Sequence, residues 1–155
     1  MTPARTRTIL FLCSGNYYRS RFAEVLFNAV ASRMGLPWRA ESRGLALELG
    51  VGNIGPMAVV AVERLALLGI GTDGYLRLPL AVAGDDLQRA ELVIALKEAE
   101  HRPLLQLKHP AWVEKVEYWH IHDGDCAPPE EALPAIEQQV QTLAARLRDA
   151  GTTWA

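Results

Sequence analysis

One stretch limits what this chain can fold into more than any other. Ile9-Leu10-Phe11-Leu12, a short apolar run, is followed at once by Cys13-Ser14-Gly15-Asn16-Tyr17-Tyr18-Arg19-Ser20. Beyond it, Phe22, Leu26, Ala29 and Val30 recur at helical spacing. The order is strand, tight turn, helix. Gly15 and Asn16 tolerate unusual φ, so the turn can curl until its backbone N–H groups point at one centre. The helix behind adds its own free N–H groups and the positive end of its dipole, which makes that centre an anion site. Arg19 supplies a planar fork matched to two oxygens of a phosphate-like group. Cys13, set in that positive potential, is expected to stand as a thiolate, the nucleophilic form of the side chain. Ser20 is placed to donate a hydrogen bond to it. A cysteine that ends a buried strand more often packs as a small hydrophobe. Here the Gly-Asn turn, the closing Arg-Ser pair and the strand-to-helix context together favour the anion site.

The first helix is expected over about Arg19 to Met34, ended by Gly35 and Pro37. Trp38 to Ser42 reads as a second strand with Trp38, Ala40 and Ser42 on one face, and Arg43 to Asn53 as a Gly-rich irregular loop. Pro56 suits the first position of a second helix, with Met57, Ala61, Leu65 and Leu68 along one stripe and Gly69 closing it. Leu92 to Leu96 is a nearly unbroken apolar run, as a strand buried on both faces of a parallel sheet requires. A short helix from about Glu98 to Leu107 follows, interrupted early by Pro103, and Val113 to Trp119 reads as a fourth strand. Leu133, Ile136, Val140, Leu143 and Leu147 mark the last helix, which Gly151 stops. Strands alternating with helices imply right-handed crossovers. The fold class is therefore α/β: a three-layer sandwich with a four-stranded parallel sheet and helices on both faces. Such sheets bind ligands beyond the carboxyl ends of their strands, so the loops after Leu12, Ser42, Leu96 and Trp119 share the functional edge.

A chain of 155 residues suits one domain over 1–155, with residues 1–7 expected to be flexible. A net charge of −2 offers no electrostatic footprint for nucleic acid or an anionic membrane. Two cysteines cannot build a disulfide framework, and no run approaches membrane-spanning length. Thr2 to Thr8 is Arg-bearing but leads to only four apolar residues before the Cys loop, so it does not read as a secretory leader. The expected location is cytoplasmic, where a reactive thiolate stays reduced.

From Phe11 to Glu24 the chain reads Phe-Leu-Cys-x-Gly-Asn-x-x-Arg-Ser-x-x-Ala-Glu. This resembles the phosphate-binding loop of the low-molecular-weight protein tyrosine phosphatases, whose signature is Cys, five residues, Arg, then Ser or Thr. The resemblance covers essentially the whole chain. It implies strand order 2-1-3-4, a fold shared with thioredoxin-linked arsenate reductases. It also implies a cysteine-dependent phosphomonoester hydrolase acting through a phosphocysteine intermediate on a phosphotyrosine protein or a small aryl phosphate. By the resemblance, Cys13, Arg19 and Asp123 are catalytic, and Ser14, Gly15, Asn16, Tyr17, Tyr18 and Ser20 bind the substrate phosphate. Asn16 would hold the curl of the loop, with Ser42 supporting it. No metal or other cofactor is implied. The chain departs from the pattern in several places. Tyr17-Tyr18 leaves no second cysteine beside the first, Arg21 replaces the usual Pro, and Leu68 stands where some relatives carry a supporting His. The aromatic pair often found beside the acid is missing from Gly124 to Ala127.

Transfer of phosphate to Cys13 needs an acid for the departing oxygen and later a base for water. Trp119-His120-Ile121-His122-Asp123-Gly124-Asp125 leaves the fourth strand on the functional edge and offers two carboxylates. Asp123 matches the family position best, although Gly124 stands where a Pro is usual; Asp125 is the reserve. Either is also suited to capping a turn, a common use of Asp. His120 and His122 at strand spacing suggest a metal pair, yet nothing near His101 or His109 completes a ligand set. Cys126 reads as a packing residue. For Tyr17 and Tyr18 two roles stand level: walls of the substrate entrance, or core beneath the loop. Arsenate reduction is a second reading of the chain, although Lys97 to Pro110 lacks the two further cysteines such a scheme would use. A phosphate- or phosphopeptide-binding module without turnover is a third.

Overall fold

The apolar run near the N-terminus becomes the most deeply buried strand. In the computed structural model, which describes residues 6–50, 52–121 and 128–150, β1 covers Arg7–Cys13 and Ile9 to Leu12 have no exposed surface. It lies between β2 (Trp38–Gly44) and β3 (Leu92–Ala95), and β4 (Glu117–Tyr118) pairs with β3. The order is β2-β1-β3-β4 with every pairing parallel, as expected. Successive residues of β1 face opposite layers. Ile9 and Phe11 join α1 (Arg19–Met34), α2 (Val59–Leu67) and α5 (Pro129–Ala150) in one core. Leu10 and Leu12 join Leu87 of α3 (Gly84–Arg89) and Leu105 of α4 (Glu98–Lys108) in the other.

α1 runs over the expected residues and ends where Gly35 takes the left-handed conformation, φ 67°. Five inward positions of α5, from Leu133 to Leu147, are buried at the spacing read from the sequence. Four expectations need correction. α2 begins at Val59 rather than at Pro56; Met57 is buried ahead of it in the approach to the helix. α4 continues through Pro103, at the loss of one backbone hydrogen bond. The strand expected from Val113 is only Glu117–Tyr118, because Pro110–Trp112 form a 3-10 turn and Val113 and Val116 pack from that turn into the second core. β1 begins at Arg7, whose N–H bonds Pro37 O at 2.8 Å, inside the segment expected to be flexible. α3 had no periodic signal, being only six residues long.

Two further connections shape the carboxyl edge of the sheet. Trp119 N–H bonds Ala95 O and Ile121 N–H bonds Leu96 O, so the chain leaving β4 is carried towards the end of β1. On the other side, Gly44 N–H bonds Leu80 O at 2.8 Å and Val82 N–H bonds Gly44 O at 2.9 Å. This lays the segment around residues 76–82 along the end of β2.

Candidate active site

The loop after β1 turns its carbonyls outward. Cys13 O accepts from Leu45 N–H at 2.8 Å, Ser14 O from Ala46 N–H at 2.9 Å and Tyr17 O from Ala58 N–H at 2.9 Å. Asn16 O accepts from Arg21 Nη1 at 3.2 Å. Among the described residues no peptide is cis, so the N–H following each carbonyl points the opposite way. The N–H groups of Ser14, Gly15, Tyr17 and Tyr18 are thereby turned to the inner side of the loop. The first turn of α1 behind them contains no acidic residue to neutralise its dipole. Gly44, opposite Cys13 in the register, lets the loop sit this close. A Cβ there would lie 2.7 Å from Ser14 O.

Asn16 is the one non-glycine residue of the described chain with positive φ, 50°, a conformation Asn adopts more readily than most. Its buried amide is fully engaged. Nδ2 donates to Ser20 Oγ at 2.9 Å and Ser42 Oγ at 3.0 Å, while Oδ1 accepts from Arg77 Nη1 and Leu80 N–H, both at 3.0 Å. Cys13 Sγ lies 2.9 Å from Ser20 Oγ. Ser42 Oγ in turn is 2.5 Å from Glu24 Oε1. Burial pushes the Glu24 carboxyl up, against the opposing pull of Ser42, Arg77, Arg21 and Arg43.

Arg19 is buried, and two contacts fix the plane of its fork. Nη1 donates to Ile121 O at 3.1 Å and Nη2 to Glu100 Oε2 at 2.8 Å. Glu100, in the first turn of α4, also accepts from Ser14 Oγ, and its Oε2 lies 3.2 Å from His101 Nε2. Its carboxyl is held well below the usual carboxylate range by His101 foremost, then by Arg19 and Ser14, against its partial burial. These groups border a cavity of about 450 Å³ lined by Cys13, Ser14, Gly15, Tyr17, Tyr18 and Arg19 from the loop. Leu49, Gly50, Asn53 and Glu100 complete the lining. The site therefore offers a thiol, a rigid guanidinium and inward N–H groups around a space large enough for a phosphate and an aryl group.

Six of the expected loop residues line that cavity; Asn16 and Ser20 do not, being fully buried beneath it. Tyr17 and Tyr18 line the cavity and also pack on the core. Tyr17 Oη also donates to Ile54 O, tying the loop to the segment that carries Asn53. Asp123, Asp125, Cys126 and His122 lie outside the described residues. His120 is exposed, in an antiparallel bridge with Lys97. Sequence reasoning missed Glu100, Arg77 and the position of Gly44. Glu100 carried a usable signal, since it opens the helix that follows β3 on the functional edge. Arg77 carried none.

Residues 8–152 match the model of the family described as low molecular weight phosphotyrosine protein phosphatase. The chain belongs to that family. As a member it is a cysteine-dependent phosphatase, and Cys13 lies buried in the loop after β1. It is 27% identical over 154 residues to a protein-arginine-phosphatase of Bacillus subtilis (strain 168), covering 90% of this chain and 96% of that one. The low molecular weight protein tyrosine phosphatase from T. tengcongensis superposes with a TM-score of 0.72 at 26% identity, over 92% and 98% of the two chains. Vibrio vulnificus Wzb in complex with benzylphosphonate shares the fold, with a TM-score of 0.75 at 19% identity over 90% and 98%.

Proposed function

We propose that this phosphatase hydrolyses aryl phosphate esters, phosphotyrosine in a protein foremost, with Cys13 as nucleophile. The observation that carries the reading is the placement of Cys13 Sγ, 2.9 Å from the Ser20 hydroxyl, in a cavity shared with Arg19 and two tyrosine rings. Sulfur attacks phosphorus in line, forming the S–P bond as the ester P–O bond breaks. Arg19 and the inward N–H groups balance charge on the equatorial oxygens, usually the largest electrostatic contribution in such a site. Asp123 gives its proton to the departing oxygen. It then takes one from the water that attacks the phosphocysteine, so that inorganic phosphate leaves and the thiolate returns, stabilised by Ser20. The rings of Tyr17 and Tyr18 favour an aryl group by stacking.

The test is Cys13→Ser with three substrates: a nitrophenyl phosphate, a phosphotyrosine peptide and a phosphoarginine peptide. Turnover should vanish on all three while the fold and vanadate binding persist, because a serine hydroxyl is scarcely ionised. More than a tenth of wild-type turnover in the variant would remove Cys13 from the role. For the wild type, preference for the phosphoarginine peptide over the phosphotyrosine peptide would overturn the substrate assignment.

A further inference from the structure

One amide sets the direction of the hydrogen bonds beneath the loop. Asn16 Oδ1 faces Arg77 Nη1 and Leu80 N–H, each 3.0 Å away, and both can only donate. The oxygen must therefore face them and the NH₂ must face Ser20 and Ser42. A hydroxyl that accepts from that NH₂ has its own proton left for another partner. Ser42 gives it to Glu24 Oε1 at 2.5 Å, and Ser20 to Cys13 Sγ at 2.9 Å. Were the amide reversed, its oxygen would draw the Ser20 proton away from sulfur and its NH₂ would confront two donors.

We propose that Arg77 is a positioning residue for the Cys13 thiolate: by holding the Asn16 oxygen it fixes the amide, and through it points the Ser20 hydroxyl at sulfur. The arginine is itself firmly held. Nη2 donates to Ser42 O at 2.9 Å and lies 3.5 Å from Glu24 Oε1, while the hydrogen bonds of Gly44 to Leu80 and Val82 keep its segment against β2. The charged groups facing it are Glu24 and Arg21 from α1 and Arg43 and Glu41 from β2. Around Cys13 stand Arg19 and the ionised Glu100, which line the same cavity, and Arg21 from beneath the loop. Leu80 N–H shares the task, so loss of Arg77 weakens the orientation without reversing it outright.

The inference rests on Cys13 as the nucleophile, and the experiment separates the two. Alkylation of Cys13 by iodoacetamide, located by mass spectrometry, is followed against pH in wild type, Arg77→Met and Arg77→Lys. Steady-state kinetics on a nitrophenyl phosphate run alongside, and Cys13→Ser serves as the control for the nucleophile. In Arg77→Met the alkylation midpoint should rise by about one pH unit, the effect of weakening one hydrogen bond to a thiolate. Its kcat should fall at least about tenfold, with KM changing far less. Arg77→Lys keeps the charge but not the fork, so it should lie between, with kcat down about three- to tenfold. If Arg77→Met does not fold, Arg77→Lys decides alone. A wild-type alkylation midpoint in every folded variant would overturn the proposal, even where kcat falls. An active Cys13→Ser would instead refute the nucleophile and leave the alkylation result readable.

Discussion

Arg21 stands where the family usually has Pro, and replacing it by Met tests what the change does for this fold. The side chain is 1% exposed and donates to four carbonyls: Asn16 at 3.2 Å, Pro56 at 3.0 Å, Tyr75 at 2.6 Å and Arg77 at 2.8 Å. One guanidinium thus straps the curl of the phosphate loop to two segments more than thirty residues away. Burial, and then repulsion from Arg77, lower its pKa to about 10, against the opposing pull of Glu24 and Cys13. It therefore remains a cation at neutral pH. At about 1.5–3 kcal/mol for each bond from a charged donor, the four would total about 6–12 kcal/mol. Water can reach the acceptors at Pro56, Tyr75 and Arg77, whose bonds are only partly buried, and Met relieves the burial of a charge. About 3–5 kcal/mol should survive these offsets, the range for breaking a buried charged network. Urea unfolding followed by tryptophan fluorescence suits the measurement, because Trp38 and Trp119 are both buried. The melting temperature should drop by roughly 6–20 °C for a chain of this size. Arg21→Lys should lose about half as much, since one ammonium cannot reach four carbonyls. An Arg21→Met variant within about 1 kcal/mol of wild type would refute the reasoning, because the four bonds would then contribute no more than a typical surface group.

Arg19→Lys should cost about 2–4 kcal/mol of transition-state stabilisation, read from kcat/KM on a nitrophenyl phosphate, because a point charge cannot replace the fork; a change within a few-fold would exclude that role. Glu100, whose carboxyl is depressed, contributes stability that is present above the ordinary carboxylate range and lost as pH falls towards its folded value. The stability gap between wild type and Glu100→Gln should accordingly be widest near pH 7 and close in acid, and urea midpoints from pH 3 to 7 that show a constant gap would contradict it. Asp123→Asn should slow hydrolysis of a phosphotyrosine peptide far more than that of a nitrophenyl phosphate, whose leaving group departs without a proton. If Asp125→Asn shows that dependence instead, the acid lies two residues later.

The fold was legible wherever a long periodic segment met the sheet. α1 and α5 followed from the spacing of their apolar residues, and the parallel sheet from the alternation of strands with helices, with the unbroken apolar run of β3 as its clearest strand. What failed was short. α3 buries its Leu87 within a helix of six residues, under two turns and too few for a period to show. Val113 and Val116 mimic a strand because a turn also needs apolar residues where it crosses a core, and only the backbone distinguishes the two. Pro56 carries a helix-starting signal that the approach to α2 overrides, since Met57 must first reach the core.

The site divides in the same way, between groups that face the anion and groups that hold those groups. Cys13, Arg19 and Ser20 were readable because their spacing along one turn already states the chemistry. Their supports come from elsewhere: Glu100 and Ile121 hold the Arg19 fork from 81 and 102 residues away, and Arg77 holds Asn16 from 61. No spacing rule spans such distances; only Glu100, by its place early in the helix after β3, could be suspected from the sequence, and the others are found in three dimensions. Arg77 shows why a missing family residue need not mean a missing function. By the resemblance drawn from the sequence, Leu68 stands where a supporting His would be expected, yet the Asn16 oxygen still receives a side-chain donor, delivered from a segment that Gly44 pins beside β2. A buried amide oxygen needs a donor whichever residue supplies it. The requirement belongs to Asn16 and its positive φ, and the donor is free to come from any chain position that can reach it.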